Sequence, residues 1–600
     1  MALLPAEFTQ AIKAVDKQKS NNKRALVIVY LGGGSDNFNF VSPTTGTNRV
    51  NYEAARAETN RIPVDATGNT QLMPGWQMHP QCFKPVLTGG SYAYHSPTTT
   101  VVTSNAVAQL TSNLRLDTGD QVYIDFKTVN TGTIATSGVF TATVLTSSTF
   151  IIDRSVDVDQ TGTADITIRK NTFMRLIDQG KAAVIMNVGP LMEPTSRANV
   201  GGAYYGQPAS VKLPVQIASH SDQNALWQTG VAQNPQYTTG WAGRAMDLLN
   251  PVYNSTLTNG EPTVLYPSSI SFSGVGVAFR ANDQHAAGMS PTGLTGRTGK
   301  ILSNVANTGT INSFGSGTQG QLLTNFNNVL YTDTTSSNAL IKEYLAAQQR
   351  SDVATQVISA VLATTNTFNT VPSDRFSAGE SIYSSLKTTT RLIKGMFDTT
   401  PSRDLQQNRQ IFFMTHGGFD QHDDLIFDQD KRLAPLMSAL RQFYDATVDL
   451  GVQDNVTLLV YSEFGRTLLQ NDDGTDHGWG GHVLVMGGAV QGVNGVGGLP
   501  VFGTPPTIGT RSDRWGPDFT NDFRGLLLPS MPTETLYSTL IQWMGIPDGW
   551  YDLNGDPTVK GAQNAVNPVE VVLPNMPNFD TAVDGSGNPR LRKITGLLSP

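Results

Sequence analysis

IFFMTHGGFDQHDD (411–424) and NVTLLVYSEFGR (455–466) each contain an apolar run rich in strand formers that ends in residues able to do chemistry. Ile411-Phe412-Phe413-Met414 leads into His416, Asp420 and His422, and Val456 to Tyr461 leads into Glu463 and Arg466. Between them Leu433, Leu436, Met437, Leu440, Phe443 and Tyr444 recur at three- and four-residue spacing, which predicts a helix that Gly451 stops. Strand, helix and strand in so short a span form a parallel crossover unit, and open α/β sheets place ligands just past the carboxyl ends of their strands. Asp420, His422 and Glu463 are therefore expected to converge from neighbouring loops.

A third segment, DGTDHGWGGH (473–482), precedes the apolar run Val483–Met486 and adds Asp476 and His477 beside glycines that permit close backbone approach. Four of the chain's eight histidines fall within these three segments. Mixed carboxylate and imidazole donors suit zinc, manganese or iron, and thiolate sites are excluded because Cys82 is the only cysteine. Gly, Asp and Asn also build ordinary turns, so spacing alone leaves plain polar connections open; the accumulation of three such segments favours a metal site of undetermined identity and number.

The amino end repeats the pattern. Ala25 to Leu31 is a continuous apolar run, read as a buried first strand, and it ends in Gly32-Gly33-Gly34-Ser35-Asp36-Asn37. The spacing of a dinucleotide fingerprint and a phosphate-loop lysine are both missing, so this is no nucleotide cradle. The glycines are expected to bend the chain and aim Asp36 into the crevice; the alternative is that Asp36 is a turn residue.

LVIVYLGGGSDNFN (26–39), IMNVGPLMEPTS (185–196), LPVQIASHSDQNALWQTG (213–230), GWAGRAMDLL (240–249), HGGFDQHDD (416–424), YSEFGRTLLQNDDGTDHGWGGHVLVMGGAV (461–490) and LPNMPNF (573–579), in this order, resemble the domain-of-unknown-function 1501 family over most of residues 20–580. That family is similar to the alkaline phosphatase and sulfatase superfamily. The resemblance implies an α/β fold, an alkaline-phosphatase-like three-layer sandwich around a mostly parallel sheet, with divalent metal at the strand ends. By position, Asp36 resembles the first-strand ligand, Asp420 and His422 a later pair, and His477, with Asp476, the last ligand. Glu463 stands where an aspartate is usual and Phe464 where a histidine is usual, and Asp420 and His422 are closer in sequence than phosphatases show, so the metal number stays open.

The resemblance also implies a hydroxyl nucleophile at a helix start, for which Thr195 and Ser196, and Ser219 beside His220, are the candidates; Thr195 or Ser196 also suits an ordinary helix cap. Ser219-His220-Ser221-Asp222 is a second polar cluster, able to bind substrate or to support metal ligands by hydrogen bonds. Arg244 and Arg466 lie in glycine-flanked motifs, and an arginine fork matches phosphate or sulfate oxygens; pairing with a carboxylate is the alternative for each.

Six hundred residues exceed one ordinary core. Charged residues make up 15% and the net charge is −7, with no basic patch, which argues against a nucleic-acid partner. The longest apolar runs stop short of a membrane span. Residues 1–20 read as an amphipathic helix and not as an export signal, whereas the Gly-, Thr-, Asn- and Ser-rich body and the resemblance favour an extracellular or surface setting; a cytoplasmic one stays open. From 98 to 170 the pattern changes to short β-branched runs separated by Thr-Gly, Ser-Gly and Ser-Ser turns, the mark of an inserted β-sandwich or barrel-like module suited to surface or self-assembly contacts or to simple decoration. The α/β domain then comprises 1–97 and 171–580, with a tail at 581–600. Residues 286–330 read as a polar surface excursion, 333–397 as helices, and Thr533 as the cap of a late helix running to Gly545.

Two functions fit. One is a metal-dependent hydrolase of phosphate or sulfate esters, carbohydrate polymers among its anionic substrates, with Asp36, Asp420, His422, Glu463, Asp476 and His477 toward the metal, Thr195 or Ser196 attacking and Arg244 or Arg466 on the anion. The other is a non-catalytic surface or assembly protein that keeps the fold.

Overall fold

The computed structural model describes residues 6–599 apart from 104–117, 119–120, 201–209, 283–286, 295–357, 359–360, 363–380, 401–404, 581–591 and shorter stretches. Within the excursion expected at 286–330, Ala287–Ser290 pairs in parallel with Ser269–Ser271 and antiparallel with Gly293–Leu294 at the edge of the main sheet; the rest of it, and the helical stretch from 333 up to 380 except for isolated positions, lie outside the described residues.

The run Ala25–Leu31 is apolar at every position, so it needs cover on both faces, and the centre of a mainly parallel sheet provides it. The strand Arg24–Gly32 pairs in parallel with Arg409–Gly417 on one side and with Val456–Ser462 on the other. Ser269–Ser271 extends the sheet beyond Arg409–Gly417, again in parallel. On the other flank Gly481–Gly487 runs antiparallel to both Val456–Ser462 and Ala182–Gly189, so the sheet is mixed but mostly parallel, ten strands among the described residues.

Alternation along the central strand divides the core. Val27 and Val29 face Leu436, Leu440 and Phe443 of the long helix Leu425–Asp449, with Leu386 and Ile393 of the helix Ser381–Phe397. Leu26, Ile28 and Tyr30 face the helices Ala6–Lys17, Trp241–Leu249 and Thr533–Met544. Helices therefore cover both faces. Gly451, at φ 68°, ends the long helix as its spacing predicts. Thr533 is not the cap expected of it: Pro532 holds that position, and Thr533 begins the helix.

The inserted module is a closed antiparallel barrel of six strands. It takes in Leu87–Ser96, ahead of the expected start at 98, because this strand pairs with both Thr99–Thr103 and Thr161–Ile168. Closure removes the sheet edges that a small module would otherwise expose, and Tyr92, Ile124, Phe126, Phe150 and Ile166 fill the interior. Among the described residues no helix is long and apolar enough to cross a membrane.

Candidate metal centre

Three strand ends and one helix start meet at the carboxyl edge of the sheet. Arg409–Gly417 delivers Asp420 and His422 through its following loop, and Val456–Ser462 delivers Glu463 directly. The hairpin Arg466–Asn471 with Gly474–His477 returns His477 to the same place. His220 is the first residue of the helix His220–Thr229, whose cap Ser219 accepts from the Asp222 backbone N–H.

Donor atoms of His220, Asp420 and His477 all lie within 4.8 Å of one another, a cluster able to hold a divalent metal ion. Nε2 of His220 and Nε2 of His477 are 3.0 Å apart, and Nε2 of His422 is 3.0 Å from that of His477 and 2.9 Å from Asp420 Oδ1. Asp420 Oδ1 lies 3.2 Å from His477 Nε2, and Oδ2 lies 3.4 Å from His220 Nε2.

The other ring nitrogens fix the tautomers. His220 Nδ1 is 2.8 Å from Glu463 Oε1, and His477 Nδ1 is 2.8 Å from the Ala218 carbonyl. A carboxylate and a carbonyl only accept, so both Nδ1 atoms donate and both Nε2 atoms of the neutral rings turn lone pairs inward. Two facing lone pairs at that separation repel, and either a metal ion or a proton on one Nε2 relieves that repulsion. This is the arrangement by which carboxylates and carbonyls orient metal-binding imidazoles.

The electrostatics follow the same partners. The hydrogen bond to Glu463 raises the His220 pKa against the effect of burial. Burial lowers that of His477, with the charges of His220 and Arg466 adding to it, although its bond to Ala218 opposes this. Partial burial pushes the Asp420 carboxyl up, but the Arg466 hydrogen bond and charge, with His220 and His422, hold it below its ordinary value.

Each remaining candidate has a defined place. Glu463, 1% exposed, contacts the cluster through His220 and also accepts from the Gly33 N–H and the Ser462 hydroxyl, so it supports a ligand. Asp476 lies at the rim, 3.8 Å from His422 Nδ1, bonded to Asn471 and near Arg524. Arg466 is buried and donates to Asp420 Oδ1, the Gly33 carbonyl and Thr475. Its guanidinium pairs with Asp420, which is the carboxylate alternative open to it.

Asp36 is not brought to the cluster. It is fully buried, both its oxygens are engaged by Arg56, and it accepts from the Phe38 N–H at the start of a short helix. The turn alternative is the one its contacts match. At 1% exposure Arg244 donates to the carbonyls of Thr229, Thr239 and Val572, joining helix to loops. Thr195 donates to the Glu193 carbonyl, and Ser196 bonds the Asn199 side chain through its N–H and hydroxyl. Among the described residues no hydrogen bond ties either hydroxyl to the cluster.

The glycine turn has a steric cause. A Cβ on Gly33 (φ 123°) would stand 2.2 Å from the Asp420 nitrogen, and one on Gly34 (φ 76°) would stand 2.1 Å from the Phe464 ring. These glycines let the loop carrying Asp420 and the ring of Phe464 close over the first strand. Phe464 in turn lies 4.9 Å, centroid to centroid, from both His220 and His477. His220 is legible in the sequence as a substrate contact or a support to ligands; its place in the cluster follows from the helix start that Ser219 caps, which no spacing to the later histidines reveals.

A family model described as "Protein of unknown function (DUF1501)" matches residues 23–507. No curated protein matches the chain.

Proposed function

The chain belongs to the DUF1501 family, and we propose that it is a metal-dependent hydrolase acting on phosphate or sulfate esters at the His220, Asp420, His422 and His477 cluster. One observation carries the reading: the Nε2 lone pairs of His220 and His477 face each other at 3.0 Å beside the Asp420 carboxylate. Bonds of about 2.0–2.1 Å to zinc place tetrahedral donors about 3.3 Å apart, close to the separations within this set. The position of the cluster at strand carboxyl ends, under helices on both faces, supports the alkaline-phosphatase-like reading of the fold.

A bound divalent cation would lower the pKa of water and polarise the ester. The chain's own residues do the rest. Glu463 and Ala218 hold the two imidazoles in the metal-binding tautomer, Arg466 fixes the Asp420 oxygen, and Phe464 walls one side against solvent. Water is the attacking group in this reading, because Thr195 and Ser196 are engaged locally. Neither Arg244 nor Arg466 is free to clamp an anion. Exposed Asp423, Asp424, Asp472 and Asp473 on the loops around the cluster repel polyanions, which favours a substrate with a single anionic group over a polysulfated polymer.

Hydrolysis of aryl phosphate and aryl sulfate esters by the metal-loaded protein tests this. His477→Ala should abolish turnover, while Thr195→Ala and Ser196→Ala should retain it. Loss of activity in either hydroxyl variant at full metal content would restore covalent catalysis. Wild-type protein inert on both ester classes would overturn the hydrolase reading in favour of a surface or assembly role.

A further inference from the structure

Behind the cluster, where Val456–Ser462 ends and Gly481–Gly487 begins, the sheet opens into a small cavity lined in part by Leu31, Ser35, Asn37, Trp227, Ser462 and His482. Its wall is mostly apolar, yet it contains polar groups that the protein leaves unmatched. Asn37 Nδ2 and Oδ1, Trp227 Nε1 and His482 Nε2 are all buried without a hydrogen-bond partner in the protein. Groups of this kind are rare singly, because each carries the full cost of desolvation. Here three such side chains line one cavity.

The backbone nearby is arranged around His482. The register of Ala182–Gly189 on Gly481–Gly487 shifts between Ile185 and Val188, and within that shift Asn187 takes φ 55°, in the left-handed region. Its N–H donates to His482 Nδ1 at 3.1 Å, and its side chain is held by the Leu528 carbonyl. Because Nδ1 accepts, the neutral ring carries its hydrogen on Nε2. Burial holds the imidazole neutral, its pKa pushed down to about 4. His482 is thereby excluded as a metal ligand through Nε2 and becomes a donor, as are Trp227 Nε1 and Asn37 Nδ2, with Asn37 Oδ1 the matching acceptor.

We infer that this cavity is a binding site for one ordered water molecule, accepting from His482 Nε2 and donating to Asn37 Oδ1. The space suits a molecule of that size, and water both donates and accepts as these groups require. Ser462 lines the same cavity and bonds Glu463 Oε2, so the site lies directly behind the carboxylate that orients His220. The inference stands on these groups alone and does not depend on the metal.

High-resolution diffraction from crystals of the full chain, with and without xenon pressure, tests it. The expected result is oxygen density within hydrogen-bond reach of His482 Nε2 and the Asn37 amide, exclusion of xenon, and loss of that density in Asn37→Leu. Xenon in the cavity, or side chains turned so that His482 Nε2 and the Asn37 amide pair with protein atoms, would overturn it. Should Asn37→Leu fail to fold, the wild-type crystals decide the question alone.

Discussion

His220 and His477 approach through their Nε2 atoms at 3.0 Å although each has already given its Nδ1 hydrogen to an oxygen, Glu463 for one and Ala218 for the other. Two neutral rings so arranged repel. A cation between them turns that repulsion into coordination, and the supporting oxygens then determine how well the site is preorganised.

Glu463→Gln should therefore weaken metal binding without removing a ligand. An outer partner of this kind typically changes affinity by about ten- to a hundredfold. Competition against a chromophoric chelator measures it, and an unchanged affinity would show that the His220 orientation does not depend on the carboxylate.

Asp36 should behave as a structural residue. Asp36→Ala leaves the Arg56 guanidinium buried without its carboxylate and should cost about 3–5 kcal/mol of stability, the usual range for breaking a buried pair. Chemical denaturation gives that figure, and metal content of the folded fraction should be unchanged. Metal loss at wild-type stability would return Asp36 to the ligand set.

Two buried groups set opposite pH responses. His482, ordinarily 6.5 and held at about 4, makes the unfolded chain bind the extra proton, so its contribution is intact above about 6.5 and is lost as pH falls toward 4. Glu534, raised from 4.5 to about 7 by burial, binds its proton in the folded state, so its contribution is present below about 4.5 and is lost as pH rises toward 7. Each slope is limited to about 1.4 kcal/mol per pH unit. Measured against wild type, Glu534→Gln should gain relative stability from pH 5 to 7, whereas His482→Gln should gain it from pH 6.5 to 4. Parallel stability curves would refute both assignments.

The barrel should be removable. Ile166 pairs with Leu87, so the chain enters and leaves it at adjacent points, and a short linker replacing 87–168 can close the gap. The excised protein should fold, by circular dichroism and thermal melting, with its metal content intact, since every cluster residue lies outside the barrel. Aggregation would show that the barrel completes the main core.

The strands were legible because Ala25–Leu31, Ile411–Met414 and Val456–Tyr461 are apolar throughout, a pattern that only a covered sheet satisfies. Asp420 and His422 were legible for the same reason, since both follow a recognisable strand, and His477 because its glycine-rich segment precedes the apolar run Val483–Met486. Asp36 also follows one, yet its carboxylate is turned to Arg56, a partner twenty residues on whose burial no local pattern signals. His220 comes from a helix start and Arg466 turns inward to Asp420; both depend on tertiary approach. The barrel's first strand, Leu87–Ser96, was missed because Gly89 and Gly90 interrupt the β-branched alternation that identified the other strands.

Elemental analysis of the purified chain beside its His220→Ala, His477→Ala double variant tests the central claim most directly. About one first-row divalent ion per wild-type chain and almost none in a folded double variant is the predicted result. Less than about a tenth of an ion per wild-type chain after incubation with zinc, manganese or iron, or equal metal in both proteins, would contradict it.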